Sequence, residues 1–366
     1  APLTWVEEEN YYFRLSAFRD RLLAHYAANP GFIQPESRRN EIISLVEGGL
    51  TDISITRKGF TWGIPAPFDP DQTIYVWFDA LLNYVTAAGY GTDEERFART
   101  WPADGHVIGK DITRFHCALW PAMLMSAGLP LPRKVFGHGF VYRKNEMTGE
   151  AEKLSKSLGN VVEPMELIEK FSAEAFRYYF MSQCPFGGDG EFSFERFADA
   201  YNSGLANNLG NNYSRILTMC LKYFEGDLGA VEGIDLTAWR RGLDLPALVE
   251  DLREKVGGFD YNTALQRIWL EVVDAANKYI QETAPFKLFK TVPEGTRVIL
   301  AHLADWMRVT AVLIKPFLPR VSEPFYTALN FGHHQPWSAV SYPTASPLLT
   351  GDRLRVTAPI VEGKPA

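Results

Sequence analysis

The stretch that decides the fold runs Gly105-His106-Val107-Ile108-Gly109, then a helical pattern from Ile112 to Ala127, then Lys134-Val135-Phe136-Gly137-His138-Gly139. Two short apolar runs punctuated by glycine flank one helix, which predicts parallel strands in an α/β layer. Upstream, Ile74-Tyr75-Val76-Trp77-Phe78 is β-branched and aromatic and reads as a strand entering a helix from Asp79 to Ala88. The segment from Tyr12 to Tyr26 also has helical periodicity, broken at Asn29-Pro30-Gly31. After Pro164 the period changes, and nearly everything to about residue 330 reads as helix, interrupted at 185–189, 227–233, 257–260 and 291–295. The expected fold is therefore α/β followed by all-α.

Composition narrows the class. The chain has 366 residues, 46% hydrophobic and 13% aromatic, enough for two packed cores and far from a disordered composition. A net charge of −7 argues against coating nucleic acid by bulk electrostatics, though a local face can still grip RNA. Three scattered cysteines form no C-x-x-C pair, so neither a disulfide framework nor a metal knuckle is expected, and a reducing cytoplasm is. No apolar run is long enough for a bilayer and no signal peptide is seen. The start at Ala1, without methionine, reads as a cut from something longer.

The chemistry concentrates in Lys153-Leu154-Ser155-Lys156-Ser157-Leu158-Gly159-Asn160. Two lysines three apart, interleaved with Ser155 and Ser157, offer charge and hydrogen-bond donors to a polyphosphate. An arbitrary K-x-x-K is more often a solvated basic turn. This string, however, resembles the KMSKS loop of class I aminoacyl-tRNA synthetases, with leucine in place of methionine. The resemblance implies that Lys156 steadies the ATP phosphates during adenylate formation, assisted by Lys153. It also implies that the upstream Val135–Phe140 strand brings His138 and Gly139 to the nucleotide. The fold implied is the second half of a Rossmann-like nucleotide-binding domain carrying that loop, then a helical-bundle anticodon-binding domain.

The amino acid is argued from two other segments. Val76-Trp77-Phe78-Asp79-Ala80-Leu81-Leu82-Asn83-Tyr84 and Gly109-Lys110-Asp111-Ile112-Thr113-Arg114-Phe115-His116-Cys117-Ala118-Leu119-Trp120 resemble the methionyl-tRNA synthetases of the bacterial type. A linear thioether suits an aromatic-walled slot, because sulfur is polarizable and packs well on rings. Trp77, Ala80 and Tyr84 repeat at helical steps of three and four, and Ile112, His116 and Trp120 at steps of four. Taken singly, aromatic residues at this spacing are usually core; the match of both stripes to one family makes them the candidate methionine pocket. A hydroxyl or imidazole donor aimed at the sulfur would reject leucine and isoleucine. Gly109 and Asp111 match the turn that meets the adenosine ribose, Asp111 also being a natural helix cap. Arg57 aligns with an arginine near the ATP phosphates.

For RNA, residues 203–224 read as one helix. At about 100° per residue, Leu205, Leu209, Tyr213, Ile216, Leu217, Cys220 and Phe224 form an apolar arc, with Gly204, Asn208, Asn211 and Arg215 opposite. Such a face is ordinarily just solvated, but Asn and Arg can also read the edges of unstacked bases. By resemblance, Asn211 and Arg215 meet the CAU anticodon, and Phe286 stands where the family usually has a stacking tryptophan, with less area and no N–H donor.

The H-I-G-H segment and the zinc knuckle of the family are not found, so no metal site is expected in this portion and a zinc site would lie upstream. The divisions expected are 1–60, the end of a connective insertion and return to the catalytic domain; 61–165, the second half of that domain; 166–195, a linking stem-contact region; 196–340, the anticodon bundle; and 341–366, a tail. The resemblance implies methionine–tRNA ligation with ATP and Mg2+, tRNA(Met) as partner, and dependence on the H-I-G-H half. The alternatives are a tRNA-binding fragment without catalysis, or a leucine- or valine-type class I enzyme.

Overall fold

The computed structural model describes residues 7–60, 62–144, 151–153, 163–230, 233–329, 349–350 and 353–354. Its chain divides into two compact units, Ala1–Phe140 and Val141–Ala366.

In the first unit a parallel sheet has Val135–His138 in the middle, with Ile33–Gln34 on one side and His106–Gly109 on the other. The register sets Gly109 opposite His138, so both strands end at the same level. Helices Arg19–Ala28 and Glu36–Glu47 bury Leu22, Tyr26, Ile42 and Val46 with Phe32, Ile108 and Val135. A second cluster gathers Leu81, Val85, Trp101, Leu119, Trp120 and Leu124. The chain between Ile108 and Leu124 serves both clusters and so fixes the strand end against the helices around it.

Two elements depart from the local sequence pattern. The strand before the first pocket segment is Asp69–Ile74, and Val76-Trp77-Phe78 already belongs to helix Val76–Leu81. Tyr75, with φ −71° and ψ 127°, ends the extended chain, and its carbonyl takes the amides of Phe78 and Asp79. Aromatic strand propensity is overridden by tertiary contacts, since the Trp77 ring stacks on Phe115 at 5.2 Å. Second, the helix expected from Ile112 to Ala127 is not uniform. A short 3-10 turn Lys110–Ile112 leads to a π-helical turn Phe115–Leu119, closed by the Trp120 amide on the Phe115 carbonyl, before helix Trp120–Ala127. A wide turn leaves carbonyls to be satisfied from outside the ladder; the Tyr26 hydroxyl donates to the Cys117 carbonyl at 2.6 Å.

The second unit opens on Val141–Lys144, paired antiparallel with Ala151–Lys153 and parallel with Gly190–Phe192. That last strand follows directly on the break expected at 185–189, where helix was expected to resume. Its partner lies about fifty residues upstream, a pairing that no local pattern reveals. Helices then follow, several capped by side chains at their first turn: Ser172, Ser193, Asp244 and Asp260 each accept an amide three residues on. The expected break at 257–260 opens at Gly257, the last residue of helix Leu245–Gly257, while that at 291–295 lies too far along the chain, since helix Pro293–Ile314 already begins inside it. The long helix Pro293–Ile314 is buried nearly throughout its second half and forms the axis of the bundle core. Within it Asp305 accepts from Arg308 (2.7 Å), from Arg240 (2.8 Å) and from the Trp239 indole (2.9 Å), so the buried charge is well partnered. No helix among the described residues is long and apolar enough to cross a membrane.

Candidate functional site

At the ends of the parallel strands, the polypeptide itself makes room for a ligand. A Cβ on Gly109 would fall 2.6 Å from the Asp111 carboxylate, so only glycine lets that carboxylate fold back over the strand end. A Cβ on Gly137 would meet Thr113 at 2.7 Å, which lets the turn after His106–Gly109 settle on the neighbouring strand. Gly109, exposed Asp111, His138 and Gly139 therefore share one edge, with His138 Nδ1 facing the Gly139 carbonyl at 2.8 Å. Ligands in parallel sheets bind at this carboxyl edge.

The two aromatic stripes meet around His106, at the start of the strand that ends at Gly109. Tyr84 lies on helix Asn83–Ala88, His116 in the π-helical turn and Trp120 just after it. His116 Nδ1 faces the Ile112 carbonyl at 3.0 Å and so carries the proton. Its Nε2 is then an acceptor, and the Tyr84 hydroxyl donates to it at 2.8 Å. Burial holds the His116 imidazole below its usual range, opposed in part by the Ile112 carbonyl. His106 is pushed down to about 4, first by burial and then by its neighbour His116. Both rings are thus neutral at pH 7.

The walls are rings. Tyr84 lies 5.6 Å from His116, 5.9 Å from Trp120 and 4.1 Å from His106, centroid to centroid. Trp77 is 44% exposed and stacks on Phe115, with Ala80 part-buried on the same helix. Ile112 gives its carbonyl to His116, while its side chain packs on the cluster under the first two helices, away from the Tyr84 cluster. Arg57 lies on strand Thr56–Lys58 with its guanidinium 3.9 Å from the Tyr75 ring centre and bonded to Ser54 Oγ at 2.7 Å.

In the second unit, Lys153 ends the strand Ala151–Lys153, while Ser155, Lys156 and Ser157 lie outside the described residues. Asn211 is exposed and Arg215 half-buried on helix Asn211–Phe224, and neither makes a side-chain hydrogen bond or ion pair among the described residues. Phe286 is 43% exposed on the short helix Pro285–Leu288. Phe289, next along, stacks on Tyr223 at 4.1 Å, tying this segment to the end of the Asn211 helix.

The polar face assigned to residues 203–224 holds only in its second half. Gly204 is buried, and its carbonyl accepts from the Trp269 indole at 3.2 Å. Asn208 is half-buried and donates to Asp274 at 2.6 Å. The cause is a π-helical stretch Tyr201–Gly210, where the Asn211 amide reaches back to the Ala206 carbonyl. A wheel drawn at one constant angle loses register across such a stretch.

Sequence reasoning passed over His106 and Phe115. Strand alternation was the available signal for the first, since a histidine in step with Ile108 must face inward and find a partner. Phe115 carried none, because its contact with Trp77 joins two distant segments.

Comparison with known proteins bears on the fold and the family. The family model for class I tRNA synthetases (M) matches residues 2–217, and that for the anticodon binding domain of methionyl tRNA ligase matches residues 247–362, which include Phe286. The methionine–tRNA ligase of Caldanaerobacter subterraneus subsp. tengcongensis is 47% identical over 335 residues, 90% of this chain and 51% of that protein. That of Bacillus subtilis is 42% identical, over 90% of this chain and 49% of its own length. The chain spans about half the length of these curated relatives. A crystal structure of Mycobacterium tuberculosis methionyl-tRNA synthetase bound by methionyl-adenylate superposes with a TM-score of 0.85 at 40% identity, covering 98% of this chain and 69% of that one. With the Rossmann-like unit, the helical bundle and both family matches in agreement, the chain belongs to the methionyl-tRNA synthetase family of class I tRNA synthetases.

Proposed function

We propose that the chain forms the second part of an enzyme that activates methionine with ATP and transfers it to tRNA(Met). The observation that carries this is the neutral Tyr84–His116 pair, packed with Trp120 and with His106, which begins the strand that ends at Gly109. A neutral, ring-lined slot suits an uncharged thioether, whereas a charged side chain would lose its hydration there without a counter-ion. The donated Tyr84 proton is committed to His116, so the hydroxyl turns lone pairs outward, and selection rests on shape and polarizability more than on a hydrogen bond to sulfur.

Asp111 and Gly109 suit the nucleotide ribose, with His138 and Gly139 beside the base and Arg57 toward the phosphates. The amino-acid carboxylate attacks the α-phosphate, pyrophosphate leaves, and Lys156, with Lys153, Ser155 and Ser157, stabilises the charge growing on the leaving group. Mg2+ accompanies the ATP phosphates; among the described residues no group of three or more His, Cys, Asp or Glu could hold a metal, so no protein ligand to it is assigned. Asn211, Arg215 and Phe286 contact the anticodon.

Methionine-dependent pyrophosphate exchange tests this, measured with the chain alone and joined to an H-I-G-H-bearing half. Lys156→Ala is expected to lower adenylate formation by about a hundredfold or more with methionine affinity little changed. Unchanged pre-steady-state activation removes Lys156 from the chemistry. A second reading is a tRNA-binding portion without catalysis of its own, supported by the match of residues 247–362 to an anticodon binding domain. Exchange by the chain alone would exclude it.

A further inference from the structure

His106 is buried against the rings of Tyr84 and His116, with only 5% of its surface exposed. It begins the strand His106–Gly109 and faces inward with Ile108, while Val107 between them is 48% exposed. Its Nε2 accepts the indole N–H of Trp120 at 3.2 Å. Its ring lies 4.1 Å from that of Tyr84, so one imidazole touches both the ring that carries the Tyr84 hydroxyl and the Trp120 indole.

The Trp120 indole has a second neighbourhood. It lines a cavity of about 400 Å3 together with Phe13, Phe78, Val85, Met123 and Leu124. The lining is mostly apolar, with hydroxyls at Thr86, Tyr90 and Ser126, and His106 is the acceptor that the indole N–H uses, so their bond favours one orientation of the ring over others that the space would admit.

We propose that His106 is a positioning residue for amino-acid selection: by holding the Trp120 indole it fixes the end of the slot and sets the longest side chain admitted. This rests on the methionine-activating reading above and deepens it. Removing the acceptor lets the indole turn toward the cavity, which lengthens the slot and loosens its hold on methionine. Discrimination against one additional methylene in an apolar pocket is commonly about 10–200-fold, and that ratio is the quantity His106 controls.

The test compares amino-acid-dependent pyrophosphate exchange with methionine and with ethionine, one methylene longer, in the chain joined to its H-I-G-H-bearing half. His106→Ala is expected to raise the methionine KM and to lower the methionine-over-ethionine preference, each by about tenfold, with kcat changed by less than about threefold. His106→Gln, whose side-chain carbonyl can accept the indole N–H, should restore most of the preference. Trp120→Phe, which removes the N–H and keeps a ring, should lose the preference and make a further His106→Ala change silent. An unaltered preference in either His106→Ala or Trp120→Phe overturns the proposal. So does an equal fall in kcat for both amino acids without rescue by glutamine, which would be a purely structural effect. If His106→Ala does not fold, the Trp120→Phe and His106→Gln results decide. Absence of methionine-dependent exchange in the unaltered protein is a separate result that overturns the functional reading itself.

Discussion

Two histidines with rings 6.1 Å apart, both buried and neutral, give the first unit a pH dependence that can be read from single residues. An unfolded chain carries its imidazoles near their ordinary pKa, whereas folded His106 sits at about 4. Between these values the unfolded state binds more protons, so the stability contributed is full above about pH 6.5 and is lost as pH falls toward 4. The loss should be on the order of 2 kcal/mol for His106, with His116 adding in the same direction. Urea unfolding from pH 7 to 4 is the measurement, and His106→Gln should show a visibly shallower decline than the unaltered chain. Parallel declines would mean that His106 is not held neutral by the fold.

At the scale of elements, π-helical turns recur where helices meet functional or crowded surroundings: Phe115–Leu119, Tyr201–Gly210 and Ile268–Val273. The second is where a constant-angle wheel went astray, and it depends on a glycine for a steric reason. A Cβ on Gly204 would lie 2.0 Å from the Tyr178 hydroxyl and within 2.7 Å of two ring carbons. The Tyr178 ring cannot step aside cheaply, because it is buried and packed on Trp269 at 4.9 Å. Gly204→Ala is therefore expected to destabilise the second unit by about 1–3 kcal/mol or more through overpacking, although alanine favours a helix. Chemical denaturation checks this; a neutral or stabilising change would show that the helix and Tyr178 can separate without cost.

For the whole molecule, the proposed amino-acid cluster and the proposed anticodon face lie in different units: Tyr84 and His116 in the first, exposed Asn211 and half-buried Arg215 in the second. Asn211 and Arg215 make no side-chain hydrogen bonds or ion pairs among the described residues, so truncating them breaks none there. Arg215→Ala should leave the melting temperature nearly unchanged, within about 0.5 kcal/mol of stability. It should weaken tRNA charging by about 1–3 kcal/mol, a range taken from base-reading contacts. Methionine-dependent pyrophosphate exchange, which needs no tRNA, should stay near normal in the same preparation. Equal loss in both assays, or a large drop in melting temperature, would make Arg215 a structural residue.

Local sequence by itself determined the α/β-then-helical order, the strand ends at Gly109 and His138, and the two stripes that meet at Tyr84 and His116. Those features are written in short-range periodicity and in glycine placement, which act within a few residues and need no knowledge of the rest of the chain. Only the tertiary structure decided which way the Tyr84 proton points, because that follows from the Ile112 carbonyl holding His116. It also decided the partnering of His106 with Trp120, the parallel pairing of Gly190–Phe192 with Val141–Arg143, and the burial of Gly204. Each depends on groups brought together from distant positions or on a helix turn widened by its neighbours. Hydrogen-bond direction and helical register answer to those surroundings rather than to local propensity.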